Sequence, residues 1–303
     1  MAFSYYDINI SIIKMKECTI KDFQNKFSSN DVCFEWLKNK FYPDGIFCKK
    51  CGKITKHYKA IDRPSYCCEF CGNHVHPTAN TIFHKSSTPL KDWFYAVYLM
   101  SSTRCGISAK QLQRELGVTY KCAWRMFQQI RSMLKEEQTQ KDGVIEIDET
   151  YIGGKHKGKT GRGSENKTIV FGITQRKGKL IAKKITNVQS STLIPIIKNN
   201  VVPHAIIYTD EFPSYKKLNK EGFIHQFINH ADKVYVIDDC HVNNIEGFWS
   251  LLKRGINGVY HSVSSKHLDK YINEYTFRYN NRNNESPMFY LVMSQIQKYP
   301  YPY

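Results

Sequence analysis

The chain has 303 residues and carries 44 Lys and Arg against 27 Asp and Glu, a formal net charge of +17. This length suits about two or three domains, and the positive excess is typical of a protein that binds a polyanion, with nucleic acid ahead of an anionic membrane surface. The longest apolar stretch, WFYAVYLM at 93–100, is far shorter than the roughly 18 residues of a membrane-spanning helix and predicts a buried helix. The first residues lack the basic, apolar and small-residue order of a signal peptide, so we expect a cytoplasmic, nucleoid-associated protein.

Cysteine pairs mark the region 46–85, which follows a helical N-terminal segment over 1–45. Cysteines in a reducing compartment are more often metal ligands or core thiols than disulfides. Cys48 and Cys51 are spaced C-x2-C, and Cys68 and Cys71 repeat this spacing after sixteen intervening residues, with a glycine after each pair. The two pairs predict a zinc ribbon, in which four thiolates close the shell of a structural Zn²⁺ and leave no position open for catalysis.

The fourth ligand of this zinc site has alternatives in the sequence. Cys67 precedes Cys68 directly and is an alternative to it as a ligand. His74 and His76 are further substitutes, although surface histidines are the simpler interpretation of both. Buried cysteines without a metal are the competing interpretation of the whole cluster, and the repeated C-x2-C-G spacing argues against it.

The segment 86–135 predicts a helix-turn-helix domain that binds DNA. Within ISAKQLQRELGVTYKCAWRMFQQIRS, Ser108 and Thr119 are suited to cap two consecutive helices that Gly117 separates. The second helix is expected to turn three polar side chains toward a groove of DNA, namely Lys121, Arg125 and Gln128. The alternative is an ordinary helical hairpin that does not bind DNA. The positive charge of the chain favours the DNA-binding helix-turn-helix.

The region 143–290 predicts a catalytic domain of the α/β class. Strands are expected at 144–152, 168–175, 180–186, 205–210 and 233–238, with a helix at 191–201 and further helices toward the end of the region. Three antiparallel strands, a helix, a strand, another helix, a short strand and a helix is the order of the ribonuclease H-like fold, a mixed sheet flanked by helices. That fold gathers carboxylates from its first strand, its fourth strand and a late helix.

Three acids stand at those three places. They are Asp148 in the first strand, Asp210 at the end of the fourth and Glu246 on the late helix. Two magnesium ions about 3.5 to 4 Å apart, held by such carboxylates, support an in-line phosphoryl displacement. Glu149 is next to Asp148, but the alternation of a strand turns it to the other face and makes it the weaker candidate.

The late helix lies within DCHVNNIEGFWSLLKR and carries several further candidates. Asn243, Glu246 and Lys253 are spaced i, i+3 and i+10, which places them on one stripe of a helix. Glu246 would complete the magnesium site, Asn243 would bind the metal or a water on it, and Lys253 would hold the DNA backbone. His241 and Arg254 are expected to contact DNA as well.

Three segments carry a resemblance to a known family. IEIDETYIGGK, YTDEFPSY and HVNNIEGFWSLLKRGINGVYHSVSSKHLDKYINEYTFRYNNR follow the predicted ribbon in this order. They resemble the transposases of bacterial insertion sequences of the fifteen-ninety-five group, and FQNKFSSNDVCFEWLKNKFYPDGIFCKKCG resembles the N-terminal segment and ribbon of that group. The resemblance covers nearly the whole chain. It implies a ribonuclease H-like DDE integrase domain and DNA transposition.

The resemblance also implies roles for single residues. Asp148 and Asp210 match the first two acids, and members of the group carry Glu, Asn or His at the third position, so Asn243 stands as an alternative to Glu246. We favour Glu246 because its spacing to Lys253 matches a pattern seen in many DDE transposases. The implied reaction nicks the terminal inverted repeats of an element, and the freed 3′ hydroxyls then attack target DNA. Because two ends must meet, we expect a homo-multimer on double-stranded DNA.

Two other functions fit part of the sequence. A nuclease of the same fold would cleave DNA without joining it, and strand joining separates the two enzymes. A domesticated regulator would bind DNA through the helix-turn-helix without catalysis. Intact acids argue against the regulator, since a DNA binder gains nothing from negative charge that faces phosphates.

Overall fold

The computed structural model describes residues 18–136, 139–153, 167–228 and 242–297. The chain divides into two compact units: the first contains the described residues up to Arg104, Ala109–Met133 and those from Glu285, and the second contains Cys105–Ser108 and Leu134–Asn284. The second unit contains the described residues of 143–284, whereas residues 285–290 of the expected catalytic domain belong to the first unit. In the part of the chain that the structure describes, no helix is long and apolar enough to cross a membrane.

Two short helices and five short strands open the first unit. They are α1 (Ile20–Lys26), α2 (Asn30–Phe41), β1 (Ile46–Cys48), β2 (Lys53–Thr55), β3 (His57–Lys59), β4 (Tyr66–Cys68) and β5 (His74–Val75). β1 and β2 form an antiparallel hairpin, and β4 pairs with β3 and β5 in a three-stranded antiparallel sheet. Each C-x2-C pair lies where one strand turns into the next, from β1 to β2 and from β4 to β5.

Three longer helices follow in the same unit. They are α3 (Leu90–Ser102), α4 (Ala109–Leu116) and α5 (Tyr120–Ser132). The buried helix predicted at 93–100 is confirmed, because it lies within α3 and its Trp93, Phe94 and Val97 are fully buried. α4 and α5 pack together across a short turn, and the Thr119 hydroxyl accepts the N–H of Cys122 to cap α5 as expected.

The second unit is a five-stranded mixed sheet with helices on both faces. Its elements are β6 (Val144–Ile152), β7 (Thr168–Gln175), β8 (Leu180–Ile185), α6 (Ser190–Asn200), β9 (Ile206–Asp210), β10 (Ile224–Ile228), α7 (Asn243–Arg254) and α8 (Ser265–Asn280). The strand order is β8-β7-β6-β9-β10. β7 is antiparallel to β6 and β8, whereas β9 is parallel to β6 and β10. This order and pairing is that of the ribonuclease H-like fold and confirms the predicted fold class.

Two apolar cores lie on opposite faces of this sheet because consecutive strand residues alternate in direction. Val170 of β7 belongs to a core that contains Phe248 and Trp249 of α7. Phe171, the next residue, belongs to a core that contains Leu193 of α6 and Tyr215. Burial of these residues stabilises the unit, at roughly 1.5–3 kcal/mol for each large side chain. The sheet thereby fixes α7 on one face and α6 on the other.

One predicted strand lies outside the described residues, and one observed strand was not predicted. The strand expected at 233–238 falls in the part of the chain that is not described. β10 forms instead at Ile224–Ile228, paired in parallel with β9. Its Ile224 and Phe227 are about half exposed, so the segment lacks the buried apolar alternation that identified the other strands.

The last described helix, α9 (Met288–Ser294), returns to the first unit. Its Phe289 is buried and lies against the rings of Phe23 and Phe27, with centroids 5.8 and 5.7 Å away. The ring of Tyr98 on α3 lies 6.2 Å from it. Residues from both ends of the described chain therefore build one aromatic core with α3.

Candidate active site and metal centres

The two predicted aspartates lie on neighbouring parallel strands. β6 and β9 pair in register over three residues, beginning with Val144 opposite Ile206. Asp148 and Asp210 are each four residues further along, just beyond the paired residues, and they are close enough for the charge of Asp210 to add to the effect of burial in raising the pKa of Asp148. Asp210 ends β9, and its Oδ1 accepts the backbone N–H of Phe212 at 3.1 Å. The sheet thus brings together two carboxylates that are far apart in the sequence.

Asp148 is half-buried and is bonded to helix α7. The indole N–H of Trp249 donates to Oδ2 of Asp148 at 3.0 Å. Gly172 of β7 pairs with Asp148, and a Cβ at this glycine would lie 2.7 Å from the Trp249 ring. Burial, together with the negative charges of Glu149 and Asp210, raises the pKa of Asp148 to about 7. Carboxylates are therefore crowded at this point, and a bound cation would relieve their repulsion.

The third predicted acid lies on α7, one turn before the residue that contacts Asp148. Glu246 precedes Trp249 by three residues, which places the two about 60° apart around the helix. Trp249 is 4% exposed and belongs to the core, whereas Glu246 is exposed. Glu246 consequently stands at the border between the buried and solvent-facing sides of α7.

The other predicted residues of this segment lie on the solvent-facing side of α7. Asn243, Lys253 and Arg254 are all exposed. With Glu246 they form a polar stripe along the helix, as the spacing predicted. His241 lies outside the described residues.

Glu146 fixes the start of α7 against the sheet. Its carboxylate is fully buried and accepts the backbone N–H groups of Asn244 and Ile245 at 2.9 and 3.2 Å. The Asn244 amide and the Arg176 guanidinium also donate to it, at 2.7 and 3.0 Å. α7 has no side-chain cap of its own, so this carboxylate satisfies its first amides and complements its dipole. The sequence pattern predicts no role for Glu146, although its even spacing from Asp148 places both residues on one face of β6.

Glu149 faces the opposite side of the sheet. The buried hydroxyl of Tyr215 donates to its Oε2 at 2.7 Å, and Tyr215 belongs to the core on the α6 side. Burial and the charge of Glu149 hold the pKa of Tyr215 well above its usual value. This arrangement agrees with the alternation of side chains along a strand. Glu149 is hydrogen-bonded on the α6 side of the sheet, opposite to the face on which α7 packs.

Comparisons with known proteins identify the family of this chain. The profile of the ISXO2-like transposase domain matches residues 140–280. A protein of Haemophilus influenzae described as an uncharacterized transposase-like protein is 35% identical over 122 residues, which are 40% of this chain and 96% of the relative. The chain belongs to the insertion-sequence transposases of the fifteen-ninety-five group. An uncharacterized protein in transposable element ISH50 of Halobacterium salinarum is 28% identical to this transposase over 259 residues, 78% of this chain and 85% of the relative.

Solved structures resemble the transposase at low identity. The crystal structure of a pre-cleavage Mos1 transpososome matches with a TM-score of 0.27 and 12% identity, over 64% of this chain and 75% of that chain. The cryo-electron microscopy structure of a simian T-cell lymphotropic virus intasome with the PP2A regulatory subunit B56 gamma matches with a TM-score of 0.28 and 15% identity, over 58% and 64%. The fold of the transposase is accordingly assigned from the strand order and pairing of its own sheet.

Four cysteines of the transposase form a cluster that could hold a zinc ion. The sulfur atoms of Cys48, Cys51, Cys68 and Cys71 all lie within 4.8 Å of one another. Two of the separations are 3.4 and 3.9 Å, close to the value of about 3.8 Å that tetrahedral Zn–S bonds of 2.3 Å require. The Thr55 hydroxyl, 3.2 Å from the Cys68 sulfur, lowers the pKa of that thiol to about 6 and so favours a thiolate.

The turns that carry these cysteines have the same backbone form. Gly52 and Gly72 follow the two pairs, each with φ of +68°, a conformation that favours glycine. Each donates its N–H to the carbonyl of the first cysteine in its pair, at 2.9 and 3.1 Å. The glycine after each pair therefore allows the turn that holds the two cysteines of the pair close together.

The alternative zinc ligands lie outside the cluster. Cys67 pairs with Tyr58 and His74 in its sheet and points to the other face of β4 from Cys68. The Nδ1 atoms of His74 and His76 are engaged by the Ser65 hydroxyl at 2.8 Å and the Pro64 carbonyl at 3.1 Å. The cluster therefore consists of Cys48, Cys51, Cys68 and Cys71, and Cys67, His74 and His76 are not part of it.

The residues predicted to read DNA from α5 differ in their exposure. Lys121 is exposed near the start of the helix, whereas the Arg125 guanidinium lies over the Trp93 ring, 5.8 Å from its centroid. The expectation for Gln128 is wrong, because its side chain is 4% exposed. α5 buries Gln128 and Arg131 beside Phe127 and Ile130, so its packed surface is wider than the apolar pattern indicated.

Proposed function

We propose that this transposase cleaves the ends of its element and joins their 3′ hydroxyls to target DNA at Asp148, Asp210 and Glu246. The observation that supports this proposal is the parallel pairing of β6 and β9, which directs Asp148 and Asp210 to the same end of the sheet. Glu246 would join them from α7. This helix is attached to β6 because the Trp249 N–H donates to Asp148. A first strand, a fourth strand and a late helix are thus the three sources of carboxylate, as in the DDE arrangement.

Two magnesium ions suit these carboxylates. Hard divalent cations prefer carboxylate oxygens. Burial and, after it, the charges of Glu149 and Asp210 raise the pKa of Asp148, and a cation would offset both effects. When bound, magnesium activates a hydroxyl nucleophile and stabilises the leaving oxygen of a phosphoryl displacement. Trp249 N–H and Phe212 N–H each hold one carboxylate oxygen in place.

The third ligand in this proposal is Glu246, with Asn243 as the alternative. Both are exposed on α7, and Glu246 is the nearer of the two to Trp249 along the helix. The variants Glu246→Gln and Asn243→Ala separate them, because the operative ligand is the one whose replacement abolishes both cleavage and joining. Full activity of Glu246→Gln would transfer the role to Asn243.

DNA is the substrate in this proposal, and two surfaces of the chain support its binding. The stripe on α7 presents Lys253 and Arg254 two turns after Glu246, where a backbone phosphate would lie. α5 exposes Lys121 at the start of the second helix of the predicted helix-turn-helix, which we propose reads the terminal inverted repeats. Joining two ends to one target favours a homo-multimer as the working assembly.

We also propose that the four-cysteine cluster binds a structural Zn²⁺. The sulfur spacing fits the tetrahedral shell of zinc, and four thiolates close that shell. The ion would join the β1–β2 hairpin to the sheet of β3, β4 and β5. Metal binding would then stabilise this small region, which has few other buried side chains to hold it.

A strand-transfer assay tests the proposed reaction. Purified protein is incubated with a labelled duplex of the flanking terminal repeat, a supercoiled plasmid and magnesium. Asp210→Asn is the test variant, and Glu211→Gln is the matched control because this neighbouring acid is exposed. We expect labelled ends joined to plasmid by the wild type and by Glu211→Gln, and no joining by Asp210→Asn.

Three other outcomes would contradict the proposal. Cleavage without joining would make the protein a nuclease of the same fold. Tight binding with neither activity, in magnesium and in manganese, would make it a DNA-binding regulator. Equal joining by Asp210→Asn would remove Asp210 from the site.

A further inference from the structure

The ladder between the described strands β6 and β9 ends before it reaches the two aspartates of the proposed site. Its last paired residues are Glu146 on β6 and Tyr208 on β9. Asp148 and Asp210 each lie two positions beyond that pair. There β6 stays paired with β7, and β9 stays paired with β10. Each aspartate is thus held to an outer neighbour of its strand, and the backbone ladder does not set the separation between β6 and β9 at this point.

A hydrogen bond between two buried side chains joins the segments around the aspartates. Glu149 follows Asp148 on β6, and Tyr215 lies five residues after Asp210. The Tyr215 hydroxyl donates to Oε2 of Glu149 at 2.7 Å, and the two residues are 1% and 7% exposed. Burial and the charge of Glu149 hold the pKa of Tyr215 well above its usual value, so the hydroxyl keeps its proton and remains a donor. This bond links β6 to the segment after β9 where the ladder has ended.

The short segment that follows β9 is held at several points. At its start, Oδ1 of Asp210 accepts the backbone N–H of Phe212 at 3.1 Å. Further along, the Ser214 hydroxyl donates to the Val188 carbonyl at 2.6 Å. The Ser190 hydroxyl donates to the Ser214 carbonyl at 2.8 Å. Because the segment is short and fixed in this way, the position of its tyrosine constrains the position of the aspartate.

The bond between tyrosine and glutamate lies on the opposite face of the sheet from the two aspartates. Asp148 faces α7, because it accepts the Trp249 N–H. Tyr208 belongs to the core that contains Trp249, and Asp210 is two residues later on the same strand, so it faces the same side. Tyr215 belongs to the core on the α6 side. A cation or a DNA strand at the two aspartates would therefore not touch Tyr215.

We propose that Tyr215 is a positioning residue, whose bond to Glu149 fixes the separation at which the two aspartates share a divalent cation. The inference rests on the proposed function, because it takes Asp148 and Asp210 as cation ligands. Mg²⁺ requires near-ideal octahedral geometry with oxygens about 2.0 to 2.1 Å away. A freer or wider separation of the carboxylates would therefore weaken cation binding, although every group that contacts the cation is still present.

The test measures cation binding by the full-length protein directly and without DNA. Mn²⁺ is the probe, because the electron paramagnetic resonance signal of the free ion shows how much of it is bound. Tyr215→Phe keeps the buried ring and removes the hydroxyl. Tyr275→Phe is the matched control, because Tyr275 is also buried in the second unit and its hydroxyl donates to the Cys105 carbonyl at 2.6 Å. Asp210→Asn identifies the fraction of Mn²⁺ that binds at the aspartates.

We expect Tyr215→Phe to raise the Kd for this fraction of Mn²⁺ about tenfold, and Tyr275→Phe to leave it within about twofold of the wild type. Strand transfer provides a second readout. The magnesium concentration for half-maximal rate should rise about tenfold in Tyr215→Phe, whereas the rate at saturating magnesium should stay close to that of the wild type. A merely structural defect would instead lower the rate at saturating magnesium and leave the half-maximal concentration unchanged.

Two variants of Glu149 test the hydrogen bond itself. Glu149→Gln and Glu149→Leu both remove the charge, but only glutamine keeps an acceptor for the Tyr215 hydroxyl. We therefore expect Glu149→Leu to bind Mn²⁺ at least about fivefold more weakly than Glu149→Gln. Addition of Tyr215→Phe to Glu149→Leu should weaken binding no further, because the bond is already absent.

Four results would overturn this inference. They are no Mn²⁺ binding at the aspartates of the wild type, wild-type affinity in Tyr215→Phe, equal weakening in Tyr215→Phe and Tyr275→Phe, and equal affinity of Glu149→Gln and Glu149→Leu. Its failure is distinct from failure of the proposed function. Normal strand transfer by the wild type together with normal Mn²⁺ binding by Tyr215→Phe would reject the positioning role and keep the reaction. Mn²⁺ binding that depends on Asp210 and on the Tyr215 hydroxyl, in a wild type that joins no DNA, would support the positioning role and reject the reaction.

Discussion

The indole N–H of Trp249 lies 3.0 Å from Oδ2 of Asp148, so the helix that carries the proposed third acid is bonded directly to the proposed first acid. Since Glu146, two residues earlier on β6, accepts the first amides of the same helix, α7 is held at two points along one strand. Trp249 lies four positions after Ile245 on α7, a rise of about 6 Å. Their partners Glu146 and Asp148 lie two positions apart on β6, roughly 6.8 Å, so the two bonds fit the two elements at the same spacing.

Replacement of Trp249 by phenylalanine should lower strand transfer without unfolding the protein. The ring of Phe fills most of the same space in the core, but it cannot donate to Asp148. A hydrogen bond to a charged group contributes about 1.5 kcal/mol or more, so we expect roughly a tenfold lower rate at saturating magnesium. Trp36→Phe in the first unit is the control and should keep full activity. Equal activity of the two variants would show that the bond does not orient Asp148.

Replacement of Glu146 by glutamine should loosen α7 from the sheet. The change leaves the half-buried Arg176 without its carboxylate and puts an amide donor against the amides of the helix. Breaking a buried pair of this kind costs about 3 kcal/mol. Hydrogen exchange of the peptide over 242–254 should accelerate accordingly, and exchange in α3 should not change.

The control for Glu146→Gln is Asp269→Asn. Asp269 pairs with Lys184 at 3.3 Å at the surface, where such pairs contribute about 0.5 kcal/mol or less. We expect its α7 peptide to exchange as the wild type does. If Glu146→Gln also left exchange unchanged, the carboxylate would not be what holds the helix.

Replacement of Gly172 by alanine should displace the Trp249 ring. The new Cβ would lie 2.7 Å from the ring and 2.9 Å from Ile245, and overpacking of this kind costs about 2 kcal/mol. Gly247→Ala on the exposed side of α7 meets no atom within 4 Å and should stabilise the helix by about 0.5–1 kcal/mol. Urea unfolding of both variants measures the contrast. Equal stability would show that the sheet accommodates the methyl group.

Replacement of Cys68 by serine should remove zinc from the purified protein, and Cys67→Ser should not. Only Cys68 places its sulfur with those of Cys48, Cys51 and Cys71. Metal analysis of each variant should give about one zinc per chain for the wild type and Cys67→Ser, and none for Cys68→Ser. Zinc loss in Cys67→Ser alone would reverse the assignment of the ligand.

Much of the catalytic unit follows from local pattern. The strands expected at 144–152 and 168–175 coincide with β6 and β7, because β-branched residues are frequent in both segments and most positions of both strands are buried. β10 has no such pattern, since an edge strand leaves Ile224 and Phe227 in contact with solvent. The residue pattern of the sequence therefore predicts the central strands of this sheet more readily than its edge strand.

Some features of the candidate site are likewise predicted by the sequence, and others are not. Asp148 and Asp210 follow from strand position, but the bond from Glu146 to Asn244 joins residues 98 positions apart, and no periodicity encodes it. Gln128 illustrates the opposite error. Its polar side chain suggested an exposed position, yet α5 packs on a surface wide enough to bury it. Polarity predicts exposure only where the packing partner of a helix is known.

Replacement of Phe289 by alanine should destabilise the first unit by about 3–5 kcal/mol. Its ring is buried against Phe23, Phe27 and Tyr98, which belong to that unit. Hydrogen exchange should accelerate in α1 and α3 and stay unchanged in β6 and β7. Tyr290→Phe, which keeps the neighbouring ring, is the control. Uniform acceleration across both units would show that they unfold as one.

The return of α9 to the first unit sets an order of events during synthesis. A ribosome makes α1 to α5 first, then the whole catalytic unit, and only then Phe289. Until that residue emerges, the aromatic core around Phe23 and Phe27 lacks one of its rings. The unit that begins the chain is thus completed after the unit that follows it, and a nascent chain would acquire its sheet and acids before its N-terminal core is closed.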